Sequence, residues 1–157
     1  MKKISKEKVE KIIKENKDKD AGFFTGRVDE NVVKSLENEL QVNLPNSYKW
    51  FLLNYGSGGL YGVDILGVEK LIENLNEAWV IETTKEYREL GLDKELIVIE
   101  DIDIVLYCLD TSQLQNGECP VVSWDQLEGY DMIEAENFYD FLFERLSSGK
   151  EAWEEEI

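Results

Sequence analysis

The chain reads as an α+β protein: a single domain in which helices pack on a mainly antiparallel sheet. Three observations lead there. Apolar residues recur at helical spacing through the first half of the chain. The period then changes, with a continuous β-branched run at Leu96–Ile99 and a second strand at Ile104–Leu109. Helical spacing returns after Ala135. Helices, then a strand-rich centre, then a helix is the order of an α+β domain, whereas alternating βα units would mean a parallel sheet. The 157 residues suit one domain, 1–157, of a size that buries about 70% of its unfolded surface without staples.

The elements follow in order. Ser5 is placed to cap a first helix, with Ile4 and Val9 spaced as a hydrophobic staple. Val9, Ile12 and Ile13 give it a narrow apolar stripe to about Lys17, and DKDAGFFTG reads as a loop. Asp29 caps a second helix, whose inner face is Val32, Leu36 and Leu40 and whose staple is Val28 with Val33. The stretch LPNSYKWFLLNYGSGGLYGVDILG comes next. Pro45 suits a first helical turn, where its missing N–H costs nothing. Tyr48, Phe51, Leu52 and Tyr55 share one face, and Trp50 and Leu53 add apolar surface on another, so this helix is predicted to be buried. Gly56 ends it. Gly58, Gly59 and Gly62 are expected to turn a corner into a strand at Val63–Leu66 that stops at Gly67.

A helix from about Asn76 to Glu89 follows, with Val80, Thr83, Tyr87 and Leu90 inward and Gly91 closing it. The strand Leu96–Ile99 is apolar on both faces. Ile104–Leu109 and Cys119–Trp124 form an antiparallel hairpin around the loop DTSQLQNGE. The last helix spans about Ala135 to Leu146, with Ala135, Phe138, Tyr139, Leu142 and Leu146 inward, before an acidic tail, KEAWEEEI, expected to fray.

Charge narrows the function. The net charge is −17, and it is uneven: residues 1–20 carry +3 and the remainder −20. A direct nucleic-acid ligand needs a basic patch that this chain lacks, and an anionic membrane surface is disfavoured for the same reason. The N-terminus is basic but has no apolar core of a signal peptide, and no apolar run approaches a membrane span, so a cytoplasmic location is expected. Cys108 and Cys119 then read as reduced, packed thiols.

Catalytic machinery is not evident. The chain has no histidine, which removes Ser–His and Cys–His pairs, His-ligated zinc and the commonest general base. YGSGGLYG follows a helix and has no nearby Lys, unlike a phosphate loop. Glu100, Asp101 and Asp103 cluster after a strand, but no second carboxylate is fixed at glycosidase separation. EDID lacks the central Gly and terminal Glu of a calcium loop. No catalytic residue, metal or cofactor is therefore expected.

LPNSYKWFLLNYGSGGLYGVDILG resembles the signature of the SUKH superfamily, the Smi/Knr-type proteins. IEDIDIVLYCLDT, ECPVVSWD and ENFYDFLFERL resemble the rest of that pattern in order and spacing. The resemblance spans nearly the whole chain, and the IED, YCLD and ECPVV blocks most resemble one antitoxin member of the family. It implies an α+β domain without known catalytic activity. Many bacterial members are immunity proteins for polymorphic toxins, frequently nucleases, and fungal members act in control of cell-wall synthesis. Gly58, Gly59, Leu60 and Trp124 match the signature as fold-defining positions.

Resemblance and charge together predict a cytoplasmic antitoxin that occludes a basic toxin, a nuclease being the class that the charge favours. A protein-binding regulator is the alternative. The candidate contacts are Glu100, Asp101 and Asp103 in one loop, then Asp125, Glu128 and Asp131 in another, with Tyr130 and Trp124 as aromatic anchors. Trp124 also reads as core.

Overall fold

The computed structural model describes residues 2–69 and 73–156, with side chains described from Lys6 onward. The elements run α1 (Lys2–Asn16), β1 (Gly22–Phe24), α2 (Glu30–Leu40), α3 (Asn46–Tyr55), β2 (Gly58–Leu60), α4 (Trp79–Glu89), β3 (Leu96–Ile102), β4 (Val105–Asp110), β5 (Val121–Asp125), β6 (Gly129–Ala135) and α5 (Phe138–Glu155). Strands β3 to β6 form an antiparallel meander in chain order, and β1 pairs antiparallel with β2 in a separate small sheet. This is the α+β architecture read from the sequence.

Helix α3 is the hub. Tyr48, Phe51 and Leu52 are fully buried. Their rings meet Phe138 of α5 edge-on, at 5.4 Å for Tyr48 and 5.6 Å for Phe51. The Tyr48 hydroxyl donates to the Leu66 carbonyl at 2.7 Å, so even the polar tip of this side chain is satisfied inside. Pro45 is the N-cap rather than the first helical residue. The β4–β5 loop completes that end of the helix: the backbone N–H and hydroxyl of Ser47 both donate to the Glu118 carboxylate, and Asn46 N–H donates to the Gly117 carbonyl at 2.8 Å. A carboxylate at a helix N-terminus answers orphan N–H groups and the helix dipole together. At the other end Gly56 adopts φ +75° as the C-cap.

The glycine run differs from its expected form. The strand is Gly58–Leu60 itself, paired with Gly22–Phe24 out of the expected DKDAGFFTG loop. Glycine is a poor strand former on propensity, but close approach requires it here. A Cβ on Gly59 would lie 2.0 Å from the Val63 carbonyl oxygen, and one on Gly58 or Gly22 would lie 2.3 Å from a carbonyl oxygen of the opposing strand. Val63–Leu66 is a connector, not a strand. Ile65 bridges to Gly58, while Leu66 N–H donates to Ile99 of β3, so consecutive residues serve different partners.

Other boundaries shift for local reasons. Ser5 lies inside α1, because nothing in the Lys-rich start opposes helix; the Ile4 side chain of the expected staple lies outside the described residues. Asp29 holds the N-cap position of α2 without a side-chain cap bond, and Val33 joins Leu36 and Leu40 on the buried face. Helix α4 starts at Trp79 and buries Val80, Ile81 and Thr84. Leu90 falls past its end and is exposed. Ala135 closes β6 rather than opening α5, which begins after the N-cap Asn137, whose side chain accepts from Asp140 N–H. The tail does not fray: α5 continues to Glu155, and Trp153 packs edge-on to Tyr61 at 5.7 Å.

The four-stranded sheet carries apolar residues on both faces. Ile97, Ile99, Leu109 and Val121 join the main core with α3 and α5. Val98, Leu106, Cys108, Val122 and Trp124 form a second cluster with Leu92 and the half-buried Tyr87 of α4. Cys108 and Cys119 sit in different clusters, both free and buried. No helix among the described residues is long and apolar enough to cross a membrane.

Candidate protein-binding face

Two hairpin turns, β3–β4 and β5–β6, lie side by side at one end of the sheet. Val105 pairs with Asp125, Gln126 N–H donates to the Ile104 carbonyl at 3.2 Å, and Gln126 Nε2 donates to the Asp103 carbonyl. The folding of these turns is local. Asp103 takes φ +75°, and its N–H donates to Asp101 Oδ1 at 2.9 Å. Asp125 Oδ1 accepts from the N–H groups of Leu127 and Glu128 at 2.7 and 3.2 Å. Asp side chains that bond their own backbone two residues on are ordinary turn chemistry.

That end is acidic and partly apolar. Asp101, Asp103, Asp125 and Glu128 gather there, together with Ile102, Ile104 at 56% exposure and Leu127 at 89%. The Tyr87 hydroxyl donates to Asp101 Oδ2 and accepts from Gln126 Nε2, each at 3.3 Å, tying α4 to both turns. Burial pushes the Tyr87 hydroxyl pKa up, and Asp101 beside it adds to the shift. Exposed apolar side chains grouped beside charge on a braced support make this end the candidate contact surface. From Glu95 to Glu144 the chain holds thirteen carboxylates and no Lys or Arg, so the sheet carries no basic residue.

The remaining expected site residues go elsewhere. Glu100 is not in a loop. A register shift between Val98 and Glu100 inserts Ile99 as an extra residue and sets Glu100 opposite Tyr107, on the α5 side of the sheet. There it is 2% exposed and takes a two-pronged ion pair from Arg145, Nε at 2.8 Å and Nη2 at 2.7 Å. Hydrogen bonding to Glu100 raises the Arg145 pKa against the opposing effect of burial, and the guanidinium also lies over the Tyr107 ring. Tyr130 and Asp131 are on β6, a strand that was expected to be loop. The Tyr130 hydroxyl donates to Asp110 Oδ2 at 3.4 Å and accepts from Gln113 at 3.3 Å, while Asp131 faces Ser123. The structure thus brings together Asp101, Asp103, Asp125 and Glu128 and separates from them Glu100, Tyr130 and Asp131. The exposed Ile102, Ile104 and Leu127 were missed; their signal is the alternation of Ile with Asp in EDIDI and a lone Leu inside an acidic turn.

Among the described residues no group of His, Cys, Asp and Glu is arranged to hold a metal ion. Burial pushes the Cys119 thiol up to about 12 and that of Cys108 up as well, so neither has thiolate character at neutral pH.

Helices packed over an antiparallel meander, with glycine-paired short strands at the junction, define an α+β domain of SUKH type. The chain belongs to that superfamily: the SUKH_5 family, described as SMI1-KNR4 cell-wall, matches residues 9–147. Among solved structures, a protein from Pseudomonas syringae pv. tomato is similar in fold. Its TM-score is 0.59 at 21% identity, over 83% of this chain and 90% of that one.

Proposed function

We propose that the chain is a cytoplasmic immunity protein that neutralises a basic toxin, a nuclease domain foremost, by covering its active surface. One observation carries this reading: the fifty residues from Glu95 to Glu144, which include the whole four-stranded sheet, hold thirteen carboxylates and no cation, and four of these acids gather at one braced end of the sheet beside exposed Ile104 and Leu127. A nuclease must be basic where it holds phosphate, and such a groove is complementary to this surface. The superfamily supports the reading, since its bacterial members are often immunity proteins. Steering between such surfaces raises association rates to about 10⁸–10⁹ M⁻¹s⁻¹ at low salt, which favours an inhibitor that must act before damage is done. The chain does no chemistry in this scheme.

The test is co-expression with the basic C-terminal domain encoded by a neighbouring toxin gene. Rescue of growth and a stable complex are expected. Asp101→Asn, Asp103→Asn, Asp125→Asn and Glu128→Gln together keep the turn-capping oxygens and remove four charges. The combined variant should slow association at least about tenfold and flatten its salt dependence. A toxic domain that is neither bound nor neutralised sinks the antitoxin reading. The cell-wall description of the matched family favours a second reading, a protein-binding regulator; a non-toxic basic partner recovered in place of a toxin would select it.

A further inference from the structure

The two edges of the four-stranded sheet are not alike. At β3 the outer edge is closed: Leu66 N–H donates to the Ile99 carbonyl at 2.8 Å, and Val98 N–H donates to Thr84 Oγ1 at 3.0 Å. At β6 no segment among the described residues pairs with the outer side. Edge strands left in this state are ordinarily protected by Lys, Pro, bulges or a cover, because unpaired N–H and C=O groups template further strands. β6 contains neither Lys nor Pro. It displays Met132 at 54% and Ile133 at 51% exposure, with Tyr130 also exposed. Its protection is two register shifts against β5 and the carboxylates Glu128, Asp131, Glu134 and Glu136 along and beside it.

We infer that β6 receives an extended, basic segment of the partner as a fifth strand of the sheet. The inference rests on the reading of this chain as a binder of a basic protein and names where and how the contact is made. Main-chain pairing supplies the affinity in such strand addition, and side chains alternating across the edge supply the selectivity. Charge decides the occupant. A second copy of β6 would bring its own acids against these, and like charges opposite one another across strands are unfavourable. An incoming strand carrying Lys or Arg between apolar residues would meet the acids with its cations and Met132 and Ile133 with its apolar side chains.

A second feature agrees. Where β6 ends, a groove of about 480 Å³ opens between the β4–β5 loop and the start of α5, bounded by Ile133, Glu136, Asn137, Gln113 and Gln115. Its carboxylate and side-chain amide oxygens are acceptors, the complement of a Lys or Arg side chain reaching past the end of the edge.

The experiment uses the full chain and a defined probe, an eight-residue peptide alternating lysine and valine, compared with the same peptide methylated at every backbone nitrogen. Methylation keeps charge and side chains and removes the ability to pair. Amide hydrogen exchange followed by NMR should show alternate amides within Tyr130–Glu134 slowed about tenfold or more by the unmethylated peptide. The methylated peptide should bind at least about tenfold more weakly. Equal binding of both peptides, binding of neither, or protection confined to another segment would overturn strand addition. Concentration-dependent dimerisation that protects the same β6 amides would overturn the choice of a basic partner. Because the probe needs no toxin, a toxin that fails to bind removes the immunity reading and leaves the edge result standing. A toxin complex that leaves β6 unprotected does the reverse.

Discussion

Arg145→Ala is the sharpest probe of what Glu100 does. The Glu100 carboxylate is 2% exposed and receives both prongs of the Arg145 guanidinium. Removing the cation leaves a buried charge unpaired, which costs about 3–5 kcal/mol. Two structural details set the value within that range. The Arg145 side chain is 28% exposed, so truncation admits water to the carboxylate and favours the lower end. Loss of the guanidinium over Tyr107 adds about 0.5 kcal/mol. The expected cost is therefore about 3–4 kcal/mol, read as a drop in urea midpoint at constant slope. At about 2–4 °C per kcal/mol for a chain of this length, Tm falls by about 6–16 °C. Glu100→Leu combined with Arg145→Leu should recover most of the loss, because apolar replacement of a buried ion pair is often neutral. Toxin affinity of Glu100→Gln should change by no more than its stability loss accounts for. An Arg145→Ala cost below about 0.5 kcal/mol at unchanged slope would refute the burial argument.

Two further outcomes follow from the packing. Gly59→Ala places a Cβ 2.0 Å from the Val63 carbonyl oxygen and should leave little folded protein by circular dichroism, whereas Gly62→Ala meets open space and costs only its φ of +82°, about 1–2 kcal/mol; equal stabilities would refute the close-approach account of β2. Burial holds the Cys119 thiol at about 12 and raises that of Cys108, against 9.0 for an open thiol. Above pH 9 the unfolded chain therefore releases protons that the native chain keeps, and stability falls as pH rises while staying flat with respect to these groups below that point. Urea midpoints at successive alkaline pH values check the slope. Iodoacetamide labelling of the native protein at the rate of a free thiol would contradict it.

The helical half of the fold was legible because its signals are local. The face Tyr48–Phe51–Leu52–Tyr55 and the stop at Gly56 are set by spacing and backbone freedom, and the structure keeps both. The continuous apolar runs of β3 and β4 were legible for the same reason. What escaped depends on partners distant in sequence. Gly22–Phe24 and Gly58–Leu60 are poor strand formers made into strands by approach across thirty-six residues. β6 was hidden by its exposure: an edge strand with acids on it has no buried alternation to display, and Gly129 with two bulges breaks the pattern that remains. Glu100 was placed with its neighbours in a loop because a single inserted residue, Ile99, turns it to the opposite face, and bulges leave no mark in composition.

These misplacements bear on how a chain of net charge −17 folds and still keeps acids in reserve. The buried carboxylates are committed inside: Glu100 to Arg145, Glu118 to the start of α3, and Asp110 to Ser112 and Gln113. Each is matched by donors that the fold supplies, so burial does not leave it unpaired. On the sheet's exposed end the arrangement is different. Asp101 and Asp125 spend one oxygen each on their own turns, which rigidifies them without neutralising them. Their charge, with that of Asp103 and Glu128, has no cation on the sheet to answer it. Self-repulsion among such groups weakens folding slightly and is relieved when a basic surface arrives. The chain should therefore gain stability with added salt and more steeply with a basic partner. A melting temperature indifferent to ionic strength between about 0.01 and 0.5 M would mean that the surface acids are too dispersed to form one field.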